Sequence, residues 1–193
     1  GTFQLSPAET FRNAAEIMAA GAQMVKLEGG QPMAETIAYL VQRGIPVCGH
    51  LGLTPQSVHA FGGFHAQGRT ASAAKQIIED ARILEQAGCF SIVLEAVPAR
   101  VAELISKRIA IPTIGIGAGV GCDGQVLVTH DLLGLFDRFT PKFVKRYANL
   151  HGEMARAFAE YKSDVESHAF PATEHTFSIN DAEFAALLQE LKD

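Results

Sequence analysis

The sequence predicts an α/β fold on a parallel sheet, of the (β/α)8 barrel kind, and three observations carry that reading. Short apolar runs alternate with amphipathic stretches of about a dozen residues, the pattern of strand–helix–strand units. Runs such as Phe90-Ser-Ile-Val-Leu-Glu95 are apolar at nearly every position, as expected of strands covered on both faces. Three successive runs end in Lys26 and Glu28, in His50, and in Glu95, and strand ends are where such barrels keep their chemistry. A closed barrel has eight strands and typically about 250 residues, whereas five strands are legible in these 193 residues. The expectation is therefore one barrel domain over 1–193, without about the first three strands, or some ~60 to 70 residues. The alternative architecture is an open, doubly wound five-stranded sheet.

Taken in order, Ser6-Pro-Ala-Glu9 is a capping box with proline at the first helical position, and it starts a helix through Met18 that stops at Gly21. Met24 to Glu28 reads as the first strand, Pro32 to Gln42 as a helix closed by Gly44, and Val47 to His50 as the second strand. Thr54-Pro55 reads as the cap and first residue of a further helix. A long helix follows Thr70 and ends before Gly88. Phe90 to Glu95 is the third strand, Ala99 to Lys107 a helix opened by Pro98, and Pro112 to Gly117 the fourth strand. Val126 to Thr129 is read as the fifth strand, ending at His130-Asp131. The remainder, from about Pro141, is a helical extension to about Ser167, and Asn180 caps a last amphipathic helix through Leu191.

Composition narrows the function. A net charge of −5 with no basic run gives no footprint for nucleic acid. No apolar segment approaches the roughly 18 residues of a membrane span, and the start shows no signal-peptide pattern. Cys48, Cys89 and Cys122 form no CxxC pair and no even set, so they read as reduced thiols of a cytoplasmic protein.

Lys26 and Glu28 are two apart on one strand, so they point to the same face. Gly29-Gly30 immediately after them allows a ligand close to the backbone. Singly, each strand-end residue has an ordinary reading: a surface ion pair, a structural histidine, an exposed glutamate. Together, two carboxylates, a lysine and a histidine at one barrel mouth suit a hard divalent ion and acid/base work on a small oxo-acid. Gly115-Ile-Gly-Ala-Gly119 does not have GxGxxG spacing and opens no helix for a dinucleotide. The other histidines show no ligand spacing. The stretch from Phe61 to Thr70 has the glycine-punctuated length of a lid or subunit contact, with Phe61 and Phe64 read as packing groups. Phe184, Leu187, Leu188 and Leu191 share a face that needs a surface to cover.

Three stretches, Met24-Val-Lys-Leu-Glu-Gly-Gly30, Pro46-Val-Cys-Gly-His-Leu-Gly-Leu-Thr-Pro-Gln56 with its glycine-rich continuation, and Gly115 to Gln125, closely resemble the ketopantoate hydroxymethyltransferase family. The resemblance runs from about Gly1 to about Phe177. It implies a barrel of the phosphoenolpyruvate/pyruvate type, and transfer of a hydroxymethyl group from 5,10-methylenetetrahydrofolate to α-ketoisovalerate, giving ketopantoate for pantothenate synthesis. The resemblance implies a reaction that passes through a Mg²⁺-stabilised enolate. It further implies Glu95 as the base, Glu28 as a metal-side carboxylate, and Lys26 and His50 as substrate-binding groups. Gly115 to Gln125 would form part of the wall near folate and substrate, and the protein would be a homo-oligomer. Two further metal-ligand aspartates belong to the strands expected before residue 1, which leaves Glu28 as one ligand of three. The nearest rival enzyme is a Mg²⁺-dependent oxo-acid lyase or mutase of the isocitrate lyase or phosphoenolpyruvate mutase type, of whose Lys-Cys-Gly-His loop Cys48-Gly-His50 is a partial echo with Val47 in place of the lysine. A rival of another class is a folded, non-catalytic fragment.

Overall fold

A computed structural model describes residues 2–60 and 62–191. Five strands, β1 (Val25–Glu28), β2 (Val47–Gly52), β3 (Ser91–Glu95), β4 (Thr113–Ile116) and β5 (Gly124–Gln125), form one sheet in the order β1-β2-β3-β4-β5. Every neighbouring pair is parallel. A doubly wound sheet reverses its strand order at a switch point. This sheet does not, so each crossover winds the same way and the helices cover one face, as in a barrel wall. The doubly wound alternative is thereby set aside.

The helices are α1 (Pro7–Ala19), α2 (Ala34–Val41), α3 (Ala71–Gln86), α4 (Ala99–Ser106), α5 (Thr129–Leu132), α6 (Leu150–Glu166) and α7 (Asp181–Glu190). Their starts follow the caps. Ser6 Oγ accepts from the Glu9 N–H, Thr70 Oγ1 from the Ala73 N–H, and Asn180 Oδ1 from the Ala182 N–H, each satisfying a donor that the first helical turn leaves open.

The chain forms two compact units, one running to Thr129 and including Thr140–Lys145, the other comprising His130–Phe139 and the residues from Arg146 on. The first holds the whole sheet. Its main core lies between sheet and helices, where Ile37, Leu40, Leu84, Ile92, Leu94 and Ile105 are fully buried. A smaller cluster of Cys48, Val93 and Ile116, with Ile114 and Leu127 packed against it, covers the opposite face. In the second unit, Arg156 bridges Glu153 and Glu160 along α6, and Tyr161, Phe170 and His175 stack in series. The apolar side chains of α7, Phe184, Leu187, Leu188 and Leu191, are exposed.

Several elements differ from expectation. The fifth strand is Gly124–Gln125, not Val126 to Thr129, because Gly124 and Gln125 are what pair with Ile114 and Gly115. His130 and Asp131 consequently sit on α5 and not at a strand end. Thr54-Pro55 opens only a single 3-10 turn, Pro55–Ser57. The segment after Pro141 is irregular until α6 begins at Leu150. Phe64, expected as a packing group, is 73% exposed, while Phe61 lies outside the described residues. All three cysteines are free thiols; burial, with Cys48 nearby, pushes the Cys89 thiol up to about 12.

The turn between β4 and β5 is tied back by Asp123. Its Oδ2 accepts the Thr113 N–H at 2.8 Å and the Thr113 hydroxyl at 3.0 Å, and these bonds hold its carboxyl below the ordinary value of 3.8. A depressed folded-state value stabilises the fold above the unfolded value and is lost as pH falls through the folded one. The Tm difference between the native protein and Asp123→Asn is therefore expected to be constant above about pH 5 and to shrink on acidification below the free-aspartate range. A difference that holds steady down to pH 2 would show that the carboxylate charge plays no part.

Candidate active site

Register brings the expected residues together. Parallel pairing sets Lys26 beside Cys48 and Glu28 beside His50, and sets Gly52 beside Glu95, so all of them face away from the helix-side core. Val25 and Leu27, of opposite parity, are buried in that core. His50 is central: its side chain is 1% exposed, with Glu28 (13%) on one side and Glu95 (17%) on the other. Its Nδ1 lies 3.9 Å from Glu28 Oε1 and its Nε2 3.2 Å from Glu95 Oε2. The second distance is short enough for a hydrogen bond, yet neither ring nitrogen has a partner at hydrogen-bonding angles among the described residues. A buried imidazole between two carboxylates without a made bond is a group set up to bond something else.

Glu28 is held from its other side. Its Oε2 accepts the Gln56 N–H at 2.9 Å, which leaves Oε1 turned toward His50. Lys26 is exposed and has no ion pair among the described residues. Lys26, His50 and Glu95 line a cavity of about 640 Å³ whose floor is Val93, Ile114 and Ile116. An apolar floor with a few convergent polar groups on the wall is the usual make-up of a small-molecule site. Of the Gly115–Gln125 stretch, Ile116 and Gln125 line it, whereas Asp123 is spent on Thr113.

The donor set suits Mg²⁺ in kind and falls short in number. Carboxylate oxygen is the ligand type a hard cation takes, with water and substrate filling its octahedron. Glu28 Oε1 is one such oxygen, but no three His, Cys, Asp or Glu side chains come together to hold a metal among the described residues.

Residues that spacing did not reveal support the site from behind. Asp80 on α3 accepts the Gln31 N–H at 3.0 Å and the Gln76 side-chain amide at 3.1 Å. A Cβ on Gly30 would meet that carboxylate at 2.2 Å, so glycine is required for Asp80 to clasp the turn after Glu28. The two partners are 49 residues apart, and no local pattern signals the pairing.

The family model for ketopantoate hydroxymethyltransferase matches residues 1–173. The chain belongs to that family. Among relatives of the ketopantoate hydroxymethyltransferase family, the 3-methyl-2-oxobutanoate hydroxymethyltransferase of Oleidesulfovibrio alaskensis is 55% identical over 183 residues, 94% of this chain and 63% of the relative. That of Syntrophobacter fumaroxidans is 54% identical over all 193 residues and 68% of its own length, and that of Enterococcus faecalis is 54% identical over 93% of this chain and 66% of the relative. The chain thus spans about two thirds, and in the first case 63%, of the relatives it matches. In fold it is similar to a crystal structure of phosphonopyruvate hydrolase, with TM-score 0.50 and 11% identity over 99% of this chain and 67% of that one. That likeness supports the barrel-type class.

Proposed function

We propose that this family member transfers a hydroxymethyl group from 5,10-methylenetetrahydrofolate to α-ketoisovalerate, giving ketopantoate, and that the cavity above β1 to β3 is where the oxo-acid becomes nucleophilic. The observation that carries the reading is the row Glu28, His50, Glu95, with the buried imidazole between two carboxylates on a cavity of small-substrate size.

The reaction needs a base for a carbon-bound proton, cationic or donor groups for the oxo-acid oxygens, and a dry surface for the isopropyl group. Glu95 supplies the base: its carboxylate is mostly shielded and lies on the cavity wall, within reach of a proton on a bound substrate. His50 donates to a substrate oxygen from the adjacent strand, which gives a partner to one of its two ring nitrogens left without a bond. Lys26 lies on the same wall with its ammonium uncommitted to a carboxylate among the described residues, and pairs with the substrate carboxylate. Val93, Ile114 and Ile116 receive the isopropyl group. Mg²⁺, when bound, supplies Lewis-acid polarisation of the keto oxygen, and Glu28 is the residue of this chain that would contribute an oxygen to it.

The working protein is read as a cytoplasmic homo-oligomer. No helix among the described residues is long and apolar enough to cross a membrane.

The test is exchange of the C3 hydrogen of α-ketoisovalerate in deuterated water containing Mg²⁺, followed by NMR with and without the folate. Exchange in the absence of folate, with ketopantoate appearing once folate is added, is expected. A folded protein that does neither would sink the reading and favour the non-catalytic alternative.

A further inference from the structure

The residue after Glu95 has a backbone that alanine rarely adopts. Ala96 has φ 49°, in the left-handed region where a Cβ crowds the neighbouring carbonyl. Such a conformation persists only where the surroundings impose it, and here three segments do. The Glu95 carbonyl accepts the Leu53 N–H at 2.8 Å, the Ala96 N–H donates to the Ile116 carbonyl at 2.9 Å, and the Ala96 carbonyl accepts the Gln67 N–H at 2.9 Å. Gly52 presses so close that a Cβ there would meet the Glu95 carbonyl oxygen at 2.2 Å. One residue beyond the turn Val97 is buried, and Pro98 follows to open α4.

Ala96 is therefore the joint between a strand end gripped by its two neighbouring strands and a helix anchored in the core. Were it extended, the carbonyl that accepts from Gln67 would turn away, and Val97 would leave its buried place. The strand end would have to shift to accommodate either change. Glu95 is the last strand residue before that joint, and its carboxylate depends on the strand end for its 3.2 Å approach to His50.

We propose that Ala96 is a positioning residue for Glu95: its left-handed turn, clamped by Ile116, Leu53 and Gln67, fixes the carboxylate against His50 on the cavity wall. The inference rests on the reading of Glu95 as the base, but its geometric half can be read without turnover. Gln67 gains a function that spacing did not suggest, since its main chain ties the glycine-rich loop to the peptide behind the base.

The experiment follows the His50 ring nitrogens by ¹⁵N NMR in the native protein, in Glu95→Gln, and in two replacements of Ala96. Asparagine tolerates the left-handed region, whereas β-branched valine is driven from it. Ala96→Asn is expected to keep the native His50 resonances and Ala96→Val to shift them toward those of Glu95→Gln. With α-ketoisovalerate, Ala96→Val should lower kcat by roughly 10²-fold, as a misplaced catalytic group does, with KM changed little. Native resonances in a folded Ala96→Val, or equal shifts in both Ala96 variants, overturn the proposal. Should Ala96→Val not fold, Gln67→Pro removes the N–H that holds the Ala96 carbonyl; shifted His50 resonances then support the proposal and native ones overturn it. If instead Glu95→Gln exchanges the substrate proton at the native rate, the base reading fails, and the resonance series still decides whether Ala96 places Glu95.

Discussion

Replacing Glu95 by glutamine is expected to lower the rate of C3 hydrogen exchange from α-ketoisovalerate by roughly 10²- to 10⁴-fold, the span usually lost with a general base. Glutamine has nearly the shape of glutamate, so the packing beside His50 survives and the oxo-acid should still bind with KM little altered. What disappears, on the proposed reading, is the group that takes the proton. The neighbouring carboxylate does not substitute, because Glu28 stands beyond the imidazole, with one oxygen already accepting from the Gln56 N–H. The measurement is deuterium incorporation by NMR in the presence of Mg²⁺, with binding checked by calorimetry. An unchanged rate with intact binding would falsify the assignment of Glu95 as base.

The largest effect on stability is expected at Gly52, where Gly52→Ala should cost about 2–5 kcal/mol, from left-handed backbone strain and overpacking together. Gly52 has φ 91°. Its Cβ would meet the Glu95 carbonyl oxygen at 2.2 Å and Val97 Cγ2 at 2.6 Å, and the first of these is backbone with no rotamer to yield. At this chain length that corresponds to a fall in Tm of very roughly 5–15 °C, measurable by thermal unfolding. Because the clash is with the peptide that carries Glu95, activity at low temperature should fall as well. A variant as stable as the native protein would mean that the strand ends separate readily, and the clamp around Glu95 would then have no basis.

Much of the site was legible in the sequence because strand geometry is strict. A period of two obliges Lys26 and Glu28 to share a face, and Glu95 does close its apolar run, but His50 lies two residues inside β2, which runs on to Gly52 instead of ending at His50 because Leu51 and Gly52 still pair with β3. Parallel pairing of consecutive strands then leaves little choice about which of these become neighbours, and the register bears this out in Glu28 beside His50 and Gly52 beside Glu95. Where the local signal was hydrophobicity alone, it misled. Val126-Leu-Val128 looked more like a strand than Gly124-Gln125, but a strand is defined by its ladder, and the ladder partner Ile114 falls opposite Gly124.

What the sequence determined by itself is the alternation of strand and helix, the caps that start α1 and α7, and the placing of Lys26, Glu28, His50 and Glu95 on neighbouring strands of one sheet. Only the tertiary structure decided how those groups are held: Gln56 on Glu28, Asp80 behind Gly30, and Leu53, Ile116 and Gln67 around the turn at Ala96. These are bonds to main-chain groups, which every residue carries alike. They join segments far apart in the chain, and nothing in local composition or spacing marks them until the sheet has brought the segments together.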